Sequence, residues 1–494
     1  MMHSKKIISN SVINLLGQVI PFLTALLCIP LIIKDLGVDR FGILNLIWII
    51  VGYFSFLDLG LGRAITQVIS SKNDLWPHEK IVKTVWATIY LISTLSITVS
   101  FVLLFYSSEI ANKLPNIPSS LIEETILSVK LIALTIPLVV ISSVLRGVLE
   151  GFHAFKEINL IRIPLGVFTF ASPLIIIATT PALQYAVGLI LFSRFLNVLV
   201  MIKMSSKYLP FDTRSIKLFD FSDTANLIKQ GGAITISNVI ANLIVYLDKF
   251  VVGYIVSAAA VAYYATTYEV VTKLWLIPAG LTGVLFPVFA KLAAKDQHKS
   301  NKIFITSLKT IIIFTLPFAL LLAFFSKEIL TLWIGLEFAK KSFEVIQILC
   351  IGVFINCLAH IPFTYIQSQG QSYRIALLHT VELTLYIPLA IFLTQKHGII
   401  GTAIAWNIRS ILDFIALIFI YKTLHEKQPS FKKQHILTIT LMSSTLMMPL
   451  VIELNSLLKI SSFVLIVLAI LFISWTKLLD KDERYIFRKA FNRN

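Results

Sequence analysis

The residues best placed to do chemistry are basic side chains standing inside long apolar runs. Arg194, Lys249, Lys273 and Arg409 lie deep within such runs, whereas Lys130 and Lys309 lie close enough to an end for their stems to reach the headgroups. Acidic residues accompany several of them. Glu269 and Lys273 are four positions apart, as are Arg409 and Asp413, a spacing that puts each pair on one helix face. Asp248 adjoins Lys249, and Asp58 precedes Arg63 by five positions. A charge at the centre of a bilayer costs about 3 kcal/mol or more unless it meets water or a partner. Neutralisation within each helix is one reading of the pattern. The other is an aqueous cavity with a surplus of cations, which suits an anionic, phosphate-bearing solute. On that reading Arg63, Arg194, Lys249, Lys273 and Arg409 are the candidate anion-binding groups. Asp58, Glu269, Glu382 and Asp413 are candidate ion or proton sites.

Other chemistries find little support. The sequence contains no G-x-S-x-G, no G-x-x-x-x-G-K-[ST] and no H-E-x-x-H, so neither a nucleophile elbow, a P-loop nor a zincin helix is present. Without a P-loop, transport has to draw on an ion gradient, membrane potential or substrate supply; no cofactor is implied beyond a proton or sodium gradient. His153, His360 and His379 read as solvated or structural. Cys28, Cys350 and Cys357 sit in apolar runs with no C-x-x-C pairing and read as small hydrophobes.

The elements that must hold these groups follow from composition. Of 494 residues, 57% are hydrophobic and 14% charged, against about 25% charged in a soluble domain. That excludes a water-soluble enzyme. About fourteen apolar stretches have the length, roughly 20 residues, that spans a bilayer as helix. The connections are too short to fold as domains of their own. Net charge is +17, yet with both termini cytoplasmic the Lys and Arg residues concentrate heavily in the inner loops. The basic surplus is therefore a topology signal and not a nucleic-acid footprint.

Internal repetition organises the runs. Pro173 and Arg194 recur as Pro388 and Arg409, both 215 residues later, and Glu150-Gly151 recurs as Gln369-Gly370 after 219. Six spans per copy is an even number, so both copies enter the membrane in the same sense, as in parallel-repeat transporters that bind substrate between halves. The expected organisation is a six-helix lobe at 1–204, a cytoplasmic linker at 205–231, a second lobe at 232–422, and two added helices with a basic tail at 423–494. Prolines within spans, among them Pro21, Pro137, Pro173, Pro317 and Pro388, predict bent helices.

The run from Gly37 to Gln67, GVDRFGILNLIWIIVGYFSFLDLGLGRAITQ, resembles the N-terminal signature of bacterial polysaccharide flippases of the O-antigen type, within the multidrug/oligosaccharidyl-lipid/polysaccharide exporter superfamily. The matching positions are Leu36, Gly37, Phe41 and Gly42, then Asp58, Gly60, Gly62, Arg63 and Ala64. Family-like pieces also include Leu145–Gly151, Tyr246–Gly253 and Phe286-Pro287. The resemblance implies an all-α polytopic membrane protein in which two lobes related by pseudo-two-fold symmetry surround a central cavity. It further implies alternating access in the bacterial inner membrane and a cargo of undecaprenyl-diphosphate-linked oligosaccharide. Membrane lipids and other polysaccharide assembly proteins are the implied partners. Tyr263, Tyr264, Tyr268, Asn238 and Asn242 could stack on or bond to sugar, or could simply pack helices. Two rivals stand beside this reading. A multidrug or metabolite antiporter would want acidic rather than basic groups at mid-cavity. A polysaccharide polymerase or ligase would want a large external loop.

Overall fold

The computed structural model describes residues 2–54, 61–72, 77–113, 117–177, 180–209, 243–292, 296–424, 433–452 and 455–485. Among them there is no β-strand. Helix is what such a composition dictates, because in hydrocarbon a helix satisfies its backbone groups within its own segment. Ten of the described helices are long and apolar enough to cross a membrane. The protein is thus an all-helical, multi-pass membrane protein. Asp58, Asn238 and Asn242 lie outside the described residues, as does the side chain of Arg63.

The chain divides into two compact units, Met1–Ala262 and Tyr263–Asn494. The first holds α1 (Met2–Leu36), α2 (Val38–Phe54), α3 (Leu61–Lys72), α4 (His78–Phe105), α5 (Ser107–Lys113), α6 (Ile122–Gly151), α7 (Phe155–Ile177), α8 (Leu183–Ser205) and α9 (243–255). Its centre is α6, against which α2, α3, α4, α5 and α8 pack, while α1 lies on α7. Ile65 and Ile69 of α3, Val85 of α4 and Val144 and Val148 of α6 share one buried apolar cluster. Where backbones approach most closely, a side chain has no room. A Cβ on Gly42 would lie 1.7 Å from the carbonyl oxygen of Ala258, and one on Gly147 would lie 2.2 Å from that of Gly62. Thr66 fastens the second contact by donating to the Gly147 carbonyl at 3.0 Å. At the other end of α6, Glu124 accepts two bonds from Arg40 at 2.9 and 2.7 Å and a third from the Leu183 amide at 3.1 Å, joining α2, α6 and α8.

α10 (Ala258–Thr272) begins at the end of the first unit. There follow α11 (Leu276–Leu292), α12 (Gln297–Phe324), α13 (Ser326–Trp333), α14 (Leu336–Ser368), α15 (Ser372–Thr423), α16 (Lys433–Ser444), α17 (Met448–Val451) and α18 (Ser456–Ile473). Here α14 is the centre, packed by α11, α12, α13 and α15. α15 is two helices joined at Gly398, whose φ of 57° and ψ of −139° are not helical. The chain reverses there: the hydroxyls of Thr394 and Thr402, eight residues apart, meet at 2.8 Å. α1, α6, α7, α12 and α15 run on through Pro21, Pro137, Pro173, Pro317 and Pro388.

Two turns share one hydrogen-bond pattern. After α6, the Ala154 amide donates to Leu149 and that of His153 to Glu150; after α14, Gln371 donates to Ile366 and Gly370 to Gln367. Both are Schellman closures, and each needs a left-handed residue. His153 supplies it at φ 56° and Gly370 at φ 73°, 217 positions apart.

Lys309 departs from expectation. It does not snorkel: it is 1% exposed, and its Nζ donates to Asp480 at 3.1 Å and to Glu483 at 3.0 Å. Asp480 and Glu483 lie against α12, where Thr306 also donates to Glu483. Lys130, by contrast, is exposed. α18 is only 6% buried over its most apolar window and is held near its start by Lys459 donating to Glu328 at 2.8 Å.

The glycine contacts yield a direct comparison. Gly147→Val should overpack the α3–α6 contact and cost about 1–3 kcal/mol or more, read as a lower melting temperature of the detergent-purified protein. Gly188→Ala, whose added methyl meets nothing within 4 Å, should leave the melting temperature within about a degree of the parent or raise it, consistent with helix propensity.

Candidate functional site

In the first unit, α2, α6, α7 and α8 enclose a cavity of about 570 Å³. Three arginines line it, one from each of three helices: Arg146 from α6, Arg162 from α7 and Arg194 from α8, with Glu150, Ser142 and Asn197 beside them. Arg146 and Glu150 are one turn apart, with 3.9 Å between Nε and Oε1. Asn197 donates to the Ser142 hydroxyl at 2.8 Å, tying α8 to α6 across the cavity wall. The Nε of Arg194 is buried without a hydrogen-bond partner. Three guanidiniums against one carboxylate leave the lining cationic, and planar N–H forks of this kind hold phosphate oxygens two at a time.

Sequence reasoning placed Arg194 in a cavity but passed over Arg146 and Arg162. Both stand close to the ends of apolar runs, where a basic residue reads as a flanking topology charge. Their spacing from Arg194 carries no local signal; the available clue was Gly147 beside Arg146, because the close approach of α3 and α6 fixes the side of α6 that remains for the cavity.

The second unit gathers the other expected residues in the α15 hairpin. His379 and Glu382 lie before the Gly398 reversal, Arg409 and Asp413 after it. Arg409 Nη1 is 3.6 Å from Glu382 Oε2, with both side chains at most 10% exposed. The guanidinium also lies over Trp406 and Tyr386, at 5.3 and 5.7 Å from their ring centroids. The partner differs from the one that spacing suggested: Arg409 turns to Glu382 on the helix before the reversal, not to Asp413 one turn along its own.

Elsewhere the expectations divide. Glu269 and Lys273 do pair within their helical segment, at 3.1 Å, on an exposed face. Lys273 stands where α10 tightens into a 3₁₀ turn, Lys273–Trp275. Lys249 is 1% exposed; its Nζ donates to the Val245 carbonyl at 3.1 Å and lies 3.6 Å from Asp248. Tyr264 and Tyr268 are buried and belong to an aromatic cluster, with Tyr268 edge-on to Trp406 at 5.8 Å. Tyr263 packs against Phe338 at 4.8 Å. Of the two roles open to these tyrosines, helix packing is the one their contacts display.

A polytopic helical bundle with a cationic interior cavity is the architecture of a membrane transporter, and solved transporter structures share this fold. An inward-facing multidrug resistance transporter of the MATE family superposes with a TM-score of 0.71 at 13% identity, covering 83% of this chain and 96% of that one. The lipid II flippase MurJ in an inward closed conformation gives 0.70 at 18% identity, covering 96% and 100%. Residues 5–293 match the family described as polysaccharide biosynthesis protein. A Shigella flexneri protein named "Putative O-antigen transporter" is 32% identical over 418 residues, 84% of this chain and 97% of its own length. The chain belongs to that polysaccharide biosynthesis family, and it is a transporter rather than an enzyme.

The α15 charges predict a double-mutant cycle. Arg409→Met strands the buried Glu382 carboxylate, and removing one side of a buried pair costs about 3–5 kcal/mol. Adding Glu382→Gln should restore most of the lost thermal stability at neutral pH. Additive losses in the double variant would show that the two side chains do not interact.

Proposed function

We propose that this protein moves an undecaprenyl-diphosphate-linked oligosaccharide from the cytoplasmic to the periplasmic leaflet of the bacterial inner membrane, as a flippase in surface polysaccharide assembly. One observation carries the reading: three arginines, from three helices of the first unit, converge on one cavity. A diphosphate is costly to draw through hydrocarbon, and a cationic, water-accessible lining lowers that cost while the polyprenyl chain stays in lipid. Arg146, Arg162 and Arg194 hold the phosphates in this scheme, and Arg63, Lys249, Lys273 and Arg409 are further substrate-binding groups. The family and the Shigella relative support polysaccharide as the cargo class. An arginine-lined cavity disfavours a carrier of organic cations.

The mechanism is alternating access by two six-helix lobes, 1–204 and 232–422, joined by a cytoplasmic linker, with both termini cytoplasmic. The excess of Lys and Arg in the inner loops supports that orientation. Asp58, Glu269, Glu382 and Asp413 are the ion-coupling groups. Binding one ion and releasing it on the other side lets a gradient bias the two states, and the available bias equals the ion's differential affinity for them.

The test is complementation of a bacterial strain lacking its own flippase for the matching glycan. Single alanine replacements of Arg194, Lys273 and Arg409 should abolish surface glycan while the protein remains in the membrane fraction at parental level. Parental export by the triple variant would reject a substrate-binding role for these cations.

A further inference from the structure

We propose that His379, Glu382 and Asp413 form a binding site for a divalent transition cation, of the zinc or manganese kind, which staples the two halves of α15. The proposal names the ion class for the coupling site assigned above. It rests on that assignment of Glu382 and Asp413, and not on the identity of the transported solute.

Geometry comes first. One ligand atom from each of the three side chains lies within 4.8 Å of the other two. Metal–nitrogen and metal–oxygen bonds of about 2.0–2.2 Å place neighbouring ligands roughly 3–4 Å apart, so a rotamer adjustment of about 1 Å closes the set. His379 and Glu382 are three residues apart on one helix face, and Asp413 comes from the returning helix across the Gly398 reversal. The His379 ring is stacked on Phe363, with 6.2 Å between centroids and 13° between planes, which restricts how its nitrogens can point.

Unmet bonding is the second, independent observation. Glu382 is 7% exposed and Asp413 5%. Both carboxylate oxygens of Glu382 and the Oδ1 of Asp413 are buried without a hydrogen-bond donor. Arg409 approaches Glu382 only to 3.6 Å, too far for a hydrogen bond. Buried oxygens of this kind are normally satisfied, and a cation satisfies all three at once.

Ligand chemistry selects the ion. Sodium, calcium and magnesium prefer sets made wholly of oxygen. One imidazole nitrogen with two carboxylates suits zinc, manganese and their neighbours, with water completing the coordination. Arg409 is then an internal competitor: it offers Glu382 a single positive charge, and a dication displaces it onto the Trp406 and Tyr386 faces it already overlies. Occupied, the site crosslinks the hairpin; vacated, the guanidinium holds Glu382 more loosely.

The test uses the full-length protein purified in detergent, stripped with a chelator and dialysed against zinc or cobalt(II). About one equivalent should bind per chain, and zinc should raise the melting temperature where sodium and calcium at the same concentration do not. His379→Gln and Asp413→Asn should each weaken zinc binding tenfold or more. The cobalt(II) visible spectrum of the parent should report nitrogen with oxygen in the coordination sphere, a readout that stands even if a variant fails to fold. Stoichiometric binding retained in His379→Gln, an all-oxygen cobalt spectrum, or no saturable zinc binding by the parent would each overturn the site. None of these measurements involves export. Metal binding by a protein that fails to move glycan would leave the site standing and reject the flippase, and the converse result would do the opposite.

Discussion

A charged group at hydrocarbon depth has to be enclosed or paired, and four basic residues in the apolar stretches of this chain show ways of meeting that demand. Lys309 meets two carboxylates from the chain's last turns. Lys249 takes a backbone carbonyl and its neighbour Asp248. Arg409 takes a carboxylate and two aromatic faces. Arg194 stands apart: its Nε finds no protein partner, and it opens on a cavity shared with two further arginines. The first three charges have partners within the protein. The fourth leaves cationic capacity unused by the protein, and a binding site is where such capacity belongs.

The same demand explains why the family-like signature is written largely in glycine. Enclosing charge requires helices that pack closely enough to keep lipid out, and in membranes small residues make that approach possible. Gly42 lets α2 touch the backbone at Ala258, and Gly147 lets α6 touch Gly62. Phe41, next to the first of these contacts, is fully buried. Gly42 and Gly147 of these family-like pieces thus serve packing.

How much could be read without coordinates depended on distance along the chain. Helicity, membrane residence and the Glu269–Lys273 pair followed from composition and short spacing, because their causes are local. The repeated helix closures were legible as the Glu150-Gly151 and Gln369-Gly370 match, although the hydrogen bonds align at a slightly different offset. What escaped was set by tertiary contact. Glu382 rather than Asp413 receives Arg409 because Gly398 reverses the chain. Asp480 and Glu483 reach Lys309 across more than 170 residues. Arg162 carries no signal of its own, because nothing in its neighbourhood along the chain reveals which helix face borders the cavity.

The Lys309 clasp also bears on how the protein is made. Its two carboxylates are synthesised 171 and 174 residues after the ammonium they receive, which at about 5–20 residues per second is a wait of roughly 10–35 seconds on the ribosome. During that interval the Lys309 ammonium, midway along α12, lacks both of the carboxylates that receive it.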